Sequence, residues 1–380
     1  MDLAQFLSDF TVQNVLAGAI LLGVSSGTLG VFAVLRGQSL LGDALSHATL
    51  PGVALGFLLT GTRNLGAITA GALVSGSLAA LFVLLLVRNT RLKNDAALGS
   101  ALSIFFALGV ILLTYVQQSG ASSQAGLDSF LFGQAAAILR SDLPLLAGLT
   151  VLLLALVLLL WKEFKLITFD PQFARTLGLP VATLETLLTM AIALAIVIGL
   201  QLVGVVLMSA MLVAPAVAAR QWSRRMEGMA VSSALFGATA GVIGSLISAA
   251  GRGLSTGPLI VLAATALVIV SLLFAPERGI VWAWLRAARQ GREFRRRRLL
   301  ETMFGLAVDH EDPGYRIEEG MLRAAQGRGV RGDLRELERA GLVEEARHMP
   351  EEGNHWRLTG AGFESARAHV EGGGQGEEPA

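Results

Sequence analysis

Ser39-Leu-Leu-Gly-Asp-Ala-Leu-Ser-His-Ala-Thr-Leu-Pro-Gly52 lies within an apolar segment, residues 38–60, long enough for one crossing of a lipid bilayer. Its two ionisable residues, Asp43 and His47, are four apart, so in a helix both side chains lie on one face, one turn from each other. The chain has five histidines, and His47 is the only one before residue 310. An ionisable group at membrane depth is costly and usually marks the path of a substrate or ion. A carboxylate oxygen beside an imidazole nitrogen suits a divalent transition metal. The competing reading makes Asp43, which follows Gly42 near the start of the segment, a helix cap, with His47 bonded to a neighbouring carbonyl. One helix offers only two ligands. Two copies facing across a dimer axis would double that to two carboxylates and two imidazoles. Pro51 and Gly52 loosen the same helix, a provision for gating.

Working outward, segments of similar character recur at roughly 12–35, 38–60, 65–87, 95–116, 142–161, 181–200, 203–219, 229–250 and 257–275. The expected fold is therefore an all-α polytopic membrane protein with about nine transmembrane helices. Composition agrees. Of 380 residues, 53% are hydrophobic and 16% charged, with a mean hydropathy of +0.61. A soluble domain carries roughly 25% charge. The basic residues orient the spans. With the N-terminus outside, cytoplasmic loops hold Arg36, Arg88, Arg91, Lys93, Lys162, Lys165, Arg175, Arg220, Arg224 and Arg225, against Arg63, Arg140 and Arg252 outside. Shifting the count by one span would reverse this bias, so the C-terminus is expected in the cytoplasm. The first ten residues hold two aspartates and no basic residue, unlike a signal peptide, so the first apolar segment is expected to remain as a span.

There is no cysteine, which excludes disulfides and thiolate metal sites. The net charge of +1 carries no information about nucleic acid. The pairs Gly23/Gly27, Gly52/Gly56 and Gly237/Gly241 read as close helix packing. Met190, Met208 and Met211 read as packing rather than ligands.

The loop Phe169-Asp-Pro-Gln-Phe-Ala-Arg-Thr-Leu-Gly-Leu-Pro180 contains a whole short helix. Asp170 is an N-cap, Pro171 fits the first turn, Gly178 fits the position after the last turn, and Pro180 prevents continuation. Phe169, Phe173 and Leu177, spaced by four, form an apolar stripe. So short a helix needs a surface, either the chain's own spans or a groove on a partner.

After Pro276 the character changes. Residues 276–298 contain eight arginines, ending in Arg295 to Arg298, with Trp282 and Trp284 near the start. This is expected to be a basic juxtamembrane linker held by anionic membrane lipid. Residues 299–370 read as a small soluble domain: a helix stopped at Gly341, strands at 342–346 and 355–358, a polar turn at 350–354 and a closing helix from Thr359. Residues 371–380 read as a disordered tail. His310, His348, His355 and His369 read as scattered surface residues.

Three stretches together resemble the permease subunits of manganese/zinc/iron ABC importers: Gly42 to Gly52, Phe169 to Gly178, and Val203-Gly-Val-Val-Leu-Met-Ser-Ala-Met-Leu-Val-Ala-Pro-Ala216. The resemblance covers residues 12–275, which form the expected transmembrane permease domain (1–275). It implies a multi-pass protein of the bacterial inner membrane passing Mn²⁺ or Zn²⁺, with Fe²⁺ a further candidate, and holding no permanent cofactor. It implies as partners a dimer of cytosolic ABC ATPases, a second permease copy, identical or paralogous, and an extracytoplasmic metal-binding protein. Asp43 and His47 match the metal-contacting pair, and Phe169, Asp170, Pro171, Phe173, Leu177 and Gly178 belong to the ATPase-coupling segment. No Walker A sequence occurs, so the chain is expected not to be an enzyme and hydrolysis to belong to a partner.

Residues 299–370 depart from that pattern and are similar to winged helix-turn-helix domains. The candidate recognition helix mixes Arg331, Arg335 and Arg339 with Asp333, Glu336 and Glu338, so a regulatory or docking module is expected rather than a DNA-binding one. Two alternatives remain for the membrane part: an ABC permease for a siderophore or cobalamin-like substrate, and an ion-coupled secondary metal transporter with Asp43 carrying a proton.

Overall fold

A computed structural model describes residues 10–61, 64–118, 140–251, 254–276, 278–327, 329–346 and 354–373. It divides into two compact units, Met1–Ile280 and Val281–Ala380.

The first unit is helical: α1 (Phe10–Leu35), α2 (Leu41–Ala48), α3 (Leu50–Thr60), α4 (Leu65–Asn89), α5 (Asn94–Gln118), α6 (Leu143–Leu159), α7 (Trp161–Phe169), α8 (Pro171–Thr176), α9 (Val181–Val203), α10 (Val205–Arg220), α11 (Met226–Ala250) and α12 (Thr256–Phe274). Among the described residues, six helices are long and apolar enough to cross a membrane: α1, α4, α5, α9, α11 and α12. Counting α6 and α7 as one bent span makes seven.

Three of the nine expected segments are thus not single long helices, each for a local reason. Residues 38–60 break at Thr49, because Pro51 has no N–H to give the carbonyl of His47 and its ring crowds that turn. Residues 142–161 form α6, which ends at Leu160; α7 turns away by 68° and lays the buried Phe164 and Ile167 back on the bundle. Residues 203–219 form a 16-residue helix separated from α9 by Gly204, whose φ of 85° and ψ of 165° suit only glycine.

Lipid gives apolar side chains no reason to turn inward, so the bundle must be held by close packing and polar contacts. Leu78, Leu85, Ile111, Val231 and Leu262 accordingly face outward. Inside, a Cβ on Gly23 of α1 would run into the backbone at Gly237 of α11, and one on Gly237 would run into Gly23. Gly52 of α3 and Gly71 of α4 meet in the same way. Ser233 adds a hydrogen bond to the carbonyl of Gly27 at 2.6 Å. The small-residue pairs therefore do what their spacing suggests. Around this contact Leu22, Leu29, Phe32, Leu188, Ile192, Met208 and Met211 are fully buried, the methionines as packing.

The second unit comprises most of α13 (Ile280–Asp309), then β1 (Ile317–Glu318), α14 (Glu319–Gln326), α15 (Val330–Arg339), β2 (Val343–Ala346), β3 (His355–Leu358) and α16 (Gly360–Gly373). The sheet is antiparallel in the order β1-β3-β2, with Ile317 opposite Trp356 and Val343 opposite Leu358. Its core joins Leu299, Met303, Leu322, Leu334, Leu337, Val343, Trp356 and Leu358. The expected helix, both strands and the closing helix are present; β1 and α14 were not anticipated. The expected boundary at 298/299 falls within α13, which is continuous because Leu299 and Leu300 face this core. Of the expected tail, residues 371–373 belong to α16; residues 374–380 and the turn residues 350–353 lie outside the described residues, as does His348. The other C-terminal histidines do not cluster. His310 stacks on Tyr315 at 3.9 Å, His369 Nδ1 lies 2.6 Å from the carbonyl of Ser365, and His355 is buried in β3 rather than at the surface.

Candidate metal path and coupling segment

α2 carries Asp43 in its first turn and His47 in its last. Its N-cap is Leu40, and no side chain caps it. Asp43 is therefore not the cap, which removes the competing reading of that residue. The carboxylate faces the ring one turn on, with Asp43 Oδ1 3.5 Å from His47 Nε2. The other ring nitrogen, Nδ1, is buried and has no hydrogen-bond partner, so the bond to a neighbouring carbonyl is not made either. Phe106 of α5 closes the apolar side of the imidazole, edge to face at 5.1 Å. An imidazole without a fixed hydrogen-bond partner, beside a carboxylate that itself accepts from no backbone cap, is open to an ion that takes both. The pair sits on an open side: the Asp43 side chain is 41% exposed, His47 20% and Phe106 42%.

The helix break adds to this chemistry. Thr49 N–H reaches both Leu45 and Ser46 carbonyls, at 3.2 and 3.3 Å, and Ser75 of α4 donates to the carbonyl of Ala48 at 2.6 Å. The carbonyl of His47 loses its usual partner four residues on, because that residue is Pro51. Among the described residues no three of His, Cys, Asp and Glu gather in one place. One copy thus offers a pair of side-chain ligands, not a closed cage.

α8 is built as its sequence suggests. Asp170 Oδ1 accepts the N–H of Phe173 at 2.8 Å, Pro171 opens the helix, and Gly178 adopts a φ of 77° beyond its end. Leu179 N–H closes back on the carbonyl of Ala174 at 3.2 Å. Ala174 is the residue buried beneath the helix. Phe169, Phe173 and Leu177 are each more than half exposed. The stripe is therefore not used up on the chain's own helices.

One functional candidate was only half visible in the sequence. Glu185, one turn into α9, interrupts an apolar segment, and Arg36 and Arg88 are ordinary loop-end basic residues. The fold brings all three together: Glu185 Oε1 lies 3.1 Å from Arg36 and Oε2 lies 3.6 Å from Arg88. Arg88 also donates to the carbonyl of Ala182 at 2.6 Å. Arg36 stands in the turn before α2, and α9 follows directly on the loop after α8. A single carboxylate thus ties the turn between α1 and α2, and the end of α4, to the early turns of α9. A second polar tie joins Lys165 of α7 to Glu227 of α11 at 2.6 Å.

A family model described as the ABC 3 transport family matches residues 8–275. The chain is 49% identical over 292 residues to the "Manganese transport system membrane protein MntC" of Bacillus subtilis (strain 168), covering 77% of this chain and 67% of that protein. It is 47% identical over 287 residues to the "Zinc transport system membrane protein TroC" of Treponema pallidum (strain Nichols), covering 76% and 96%. Among solved structures, "PsaBC from Streptococcus pneumoniae in complex with Fab" matches with a TM-score of 0.65 at 36% identity, covering 73% of this chain and 98% of that one.

Proposed function

The chain belongs to the ABC 3 transport family, and on that premise we propose that it is the permease through which an ATP-driven importer carries a divalent transition metal, Mn²⁺ or Zn²⁺, across the inner membrane. The observation that carries this reading is the Asp43–His47 pair: oxygen and nitrogen ligands one turn apart on α2, with one ring nitrogen buried and unpartnered. A large chelate such as a siderophore or cobalamin has no need of such a pair. The ligand set without sulfur favours manganese mildly, since zinc also accepts Asp and His.

The permease works with a second copy, cytosolic ATPases and an extracytoplasmic binding protein. A second copy covering the open side of α2 would bring four side-chain ligands around one ion. The polypeptide crosses nine times, with N-terminus out: α2 with α3 make one broken span, α6 with α7 one bent span, and α10 a short one. ATP hydrolysis in the partner moves α8 through its apolar stripe. The Glu185 tie to Arg36 passes that movement to the turn before α2 and so to the metal pair. The break at Thr49 and Pro51 supplies the joint. The basic start of α13, with Trp282 and Trp284, lies along the cytoplasmic lipid surface.

The test is uptake of radiolabelled Mn²⁺ and Zn²⁺ by the reconstituted complex carrying Asp43→Ala or His47→Ala. Assembly should persist and uptake of the transported metal should fall at least roughly tenfold, the effect of about 1.4 kcal/mol at the pathway. Near-normal uptake by either variant would remove the pair from the path.

A further inference from the structure

An imidazole that binds a metal is ordinarily fixed through its other ring nitrogen, which donates to a carboxylate or a backbone carbonyl. His47 lacks that bond: Nδ1 is buried and has no hydrogen-bond partner among the described residues. Nε2 lies 3.5 Å from Asp43 Oδ1, too long for a strong hydrogen bond, so the carboxylate does not pin the ring either. The ring contact that His47 does make is with Phe106 of α5, at 5.1 Å between centroids and 84° between planes. This is the edge-to-face arrangement that aromatic pairs prefer, within their range of roughly 4.5–7 Å. Phe106 is itself held in place through its helix. One turn on, Gly109 is buried against the joint between α2 and α3, where a Cβ would stand 2.7 Å from Leu50 Cβ and 3.2 Å from Pro51 Cδ. Phe106 and Gly109, three apart on one face of α5, thus meet His47 and Leu50, also three apart. The close approach of the α5 backbone to the joint fixes where the Phe106 ring stands. α4 holds the joint as well: Ser75 donates to the carbonyl of Ala48 at 2.6 Å, and a Cβ on Gly76 would meet Thr49 Cγ2 at 3.2 Å.

Resting on the reading of Asp43 and His47 as the ion's contacts, we propose that Phe106 is a positioning residue for metal transit. It aims the His47 imidazole at the ion beside Asp43, in the place where a metal site usually has a hydrogen bond. The exchange has a chemical consequence. A carboxylate hydrogen-bonded to the far nitrogen makes an imidazole a stronger ligand. A phenyl ring orients the imidazole without strengthening it. A site that hands the ion onward needs binding strong enough for entry and weak enough for release. Packing by Phe106 meets both needs: the ligand is directed, and the ion is not trapped. The other role open to a half-exposed phenylalanine of a span is contact with lipid alone. Such a residue would have no bearing on the ion, and the two roles part on whether its effect passes through His47.

The experiment measures equilibrium Mn²⁺ binding to the assembled permease–ATPase complex in nanodiscs, without the binding protein. Bound ion is counted from the loss of the paramagnetic signal of free Mn²⁺, and Zn²⁺ is read by competition. Phe106→Leu should weaken the His47-dependent binding by roughly 2- to 12-fold, the range of one edge-to-face pair. In a His47→Ala background the same substitution should cause no further loss, because Phe106 acts through that ring. Phe106→Tyr keeps the ring and should bind within about twofold of wild type. Should Phe106→Leu fail to assemble by size exclusion, Phe106→Met is read in its place. Three results would overturn the proposal: His47-dependent binding unchanged in Phe106→Leu; an equal loss in the wild-type and His47→Ala backgrounds, which would make the ring a structural element; or a loss in Phe106→Tyr as large as in Phe106→Leu. Binding that His47→Ala itself leaves unchanged would instead remove the metal reading of Asp43 and His47, and the proposal with it.

Discussion

Replacing Glu185 by Gln keeps the shape of the side chain and removes the charge that Arg36 and Arg88 share. At 3.1 Å and an effective dielectric of about 20, the Arg36–Glu185 attraction is on the order of 5 kcal/mol before the cost of dehydrating both ions. Breaking a fully buried pair by removing one partner costs roughly 3–5 kcal/mol. The side chains here are 14% and 21% exposed, so the expected loss is lower, about 2–3 kcal/mol. Arg88 adds little, because it lies 3.6 Å away and is 37% exposed. A loss of that size shifts any two-state step that relies on the tie by roughly 30- to 150-fold. The assay is a double-mutant cycle of Glu185→Gln and Arg36→Gln in the assembled complex, scored by equilibrium unfolding in mixed micelles and by metal uptake per ATP hydrolysed. A coupling energy of at least about 1.5 kcal/mol is expected, with ATP hydrolysis retained and uptake per ATP reduced. A coupling below about 0.5 kcal/mol, with normal uptake in Glu185→Gln, would refute the transmission role.

Phe173→Asp places a charge in the middle of the exposed stripe Phe169–Phe173–Leu177, so the ATPase should no longer co-purify with the permease; retention of the ATPase and of transport would exclude this stripe from docking. Gly237→Val forces methyl groups against the backbone at Gly23, where nothing flexible can yield; a loss of about 1–3 kcal/mol is expected in the same unfolding assay, and wild-type stability would contradict the close packing. Deleting residues 299–380 removes the second unit's core from Leu299 onward and no residue of α1–α12, so insertion and metal uptake should persist; loss of assembly would show that the C-terminal unit is structural.

How legible the molecule was depends on the range of the interaction. α8 was readable residue by residue, since Asp170, Pro171 and Gly178 each act within one turn. The same holds for the Gly23 and Gly237 contacts, which leave a spacing signature. Apolar length gave the long spans but not the breaks: the helices are interrupted at Thr49, Leu160 and Gly204 with little change in hydropathy, and of these only the weak point at Pro51 had a signal in the sequence. Ion pairs were the least legible. Glu185 meets Arg36 across 149 positions, and Asp333 and Glu336 meet α13 across some forty, so the sequence shows the charges without their partners. That is why α15 reads as evenly mixed in charge although two of its acids, Asp333 and Glu336, are held by arginines of α13.

The most direct test of the metal path is electron spin-echo modulation of Mn²⁺ bound to the assembled, reconstituted complex. Wild-type protein should show coupling to an imidazole nitrogen, and His47→Gln should lose it while Mn²⁺ remains detectable at weakened affinity, held by the carboxylate of Asp43. An unchanged nitrogen coupling in His47→Gln, or no such coupling in the wild-type complex, would contradict the assignment of Asp43 and His47 as the pair that handles the ion.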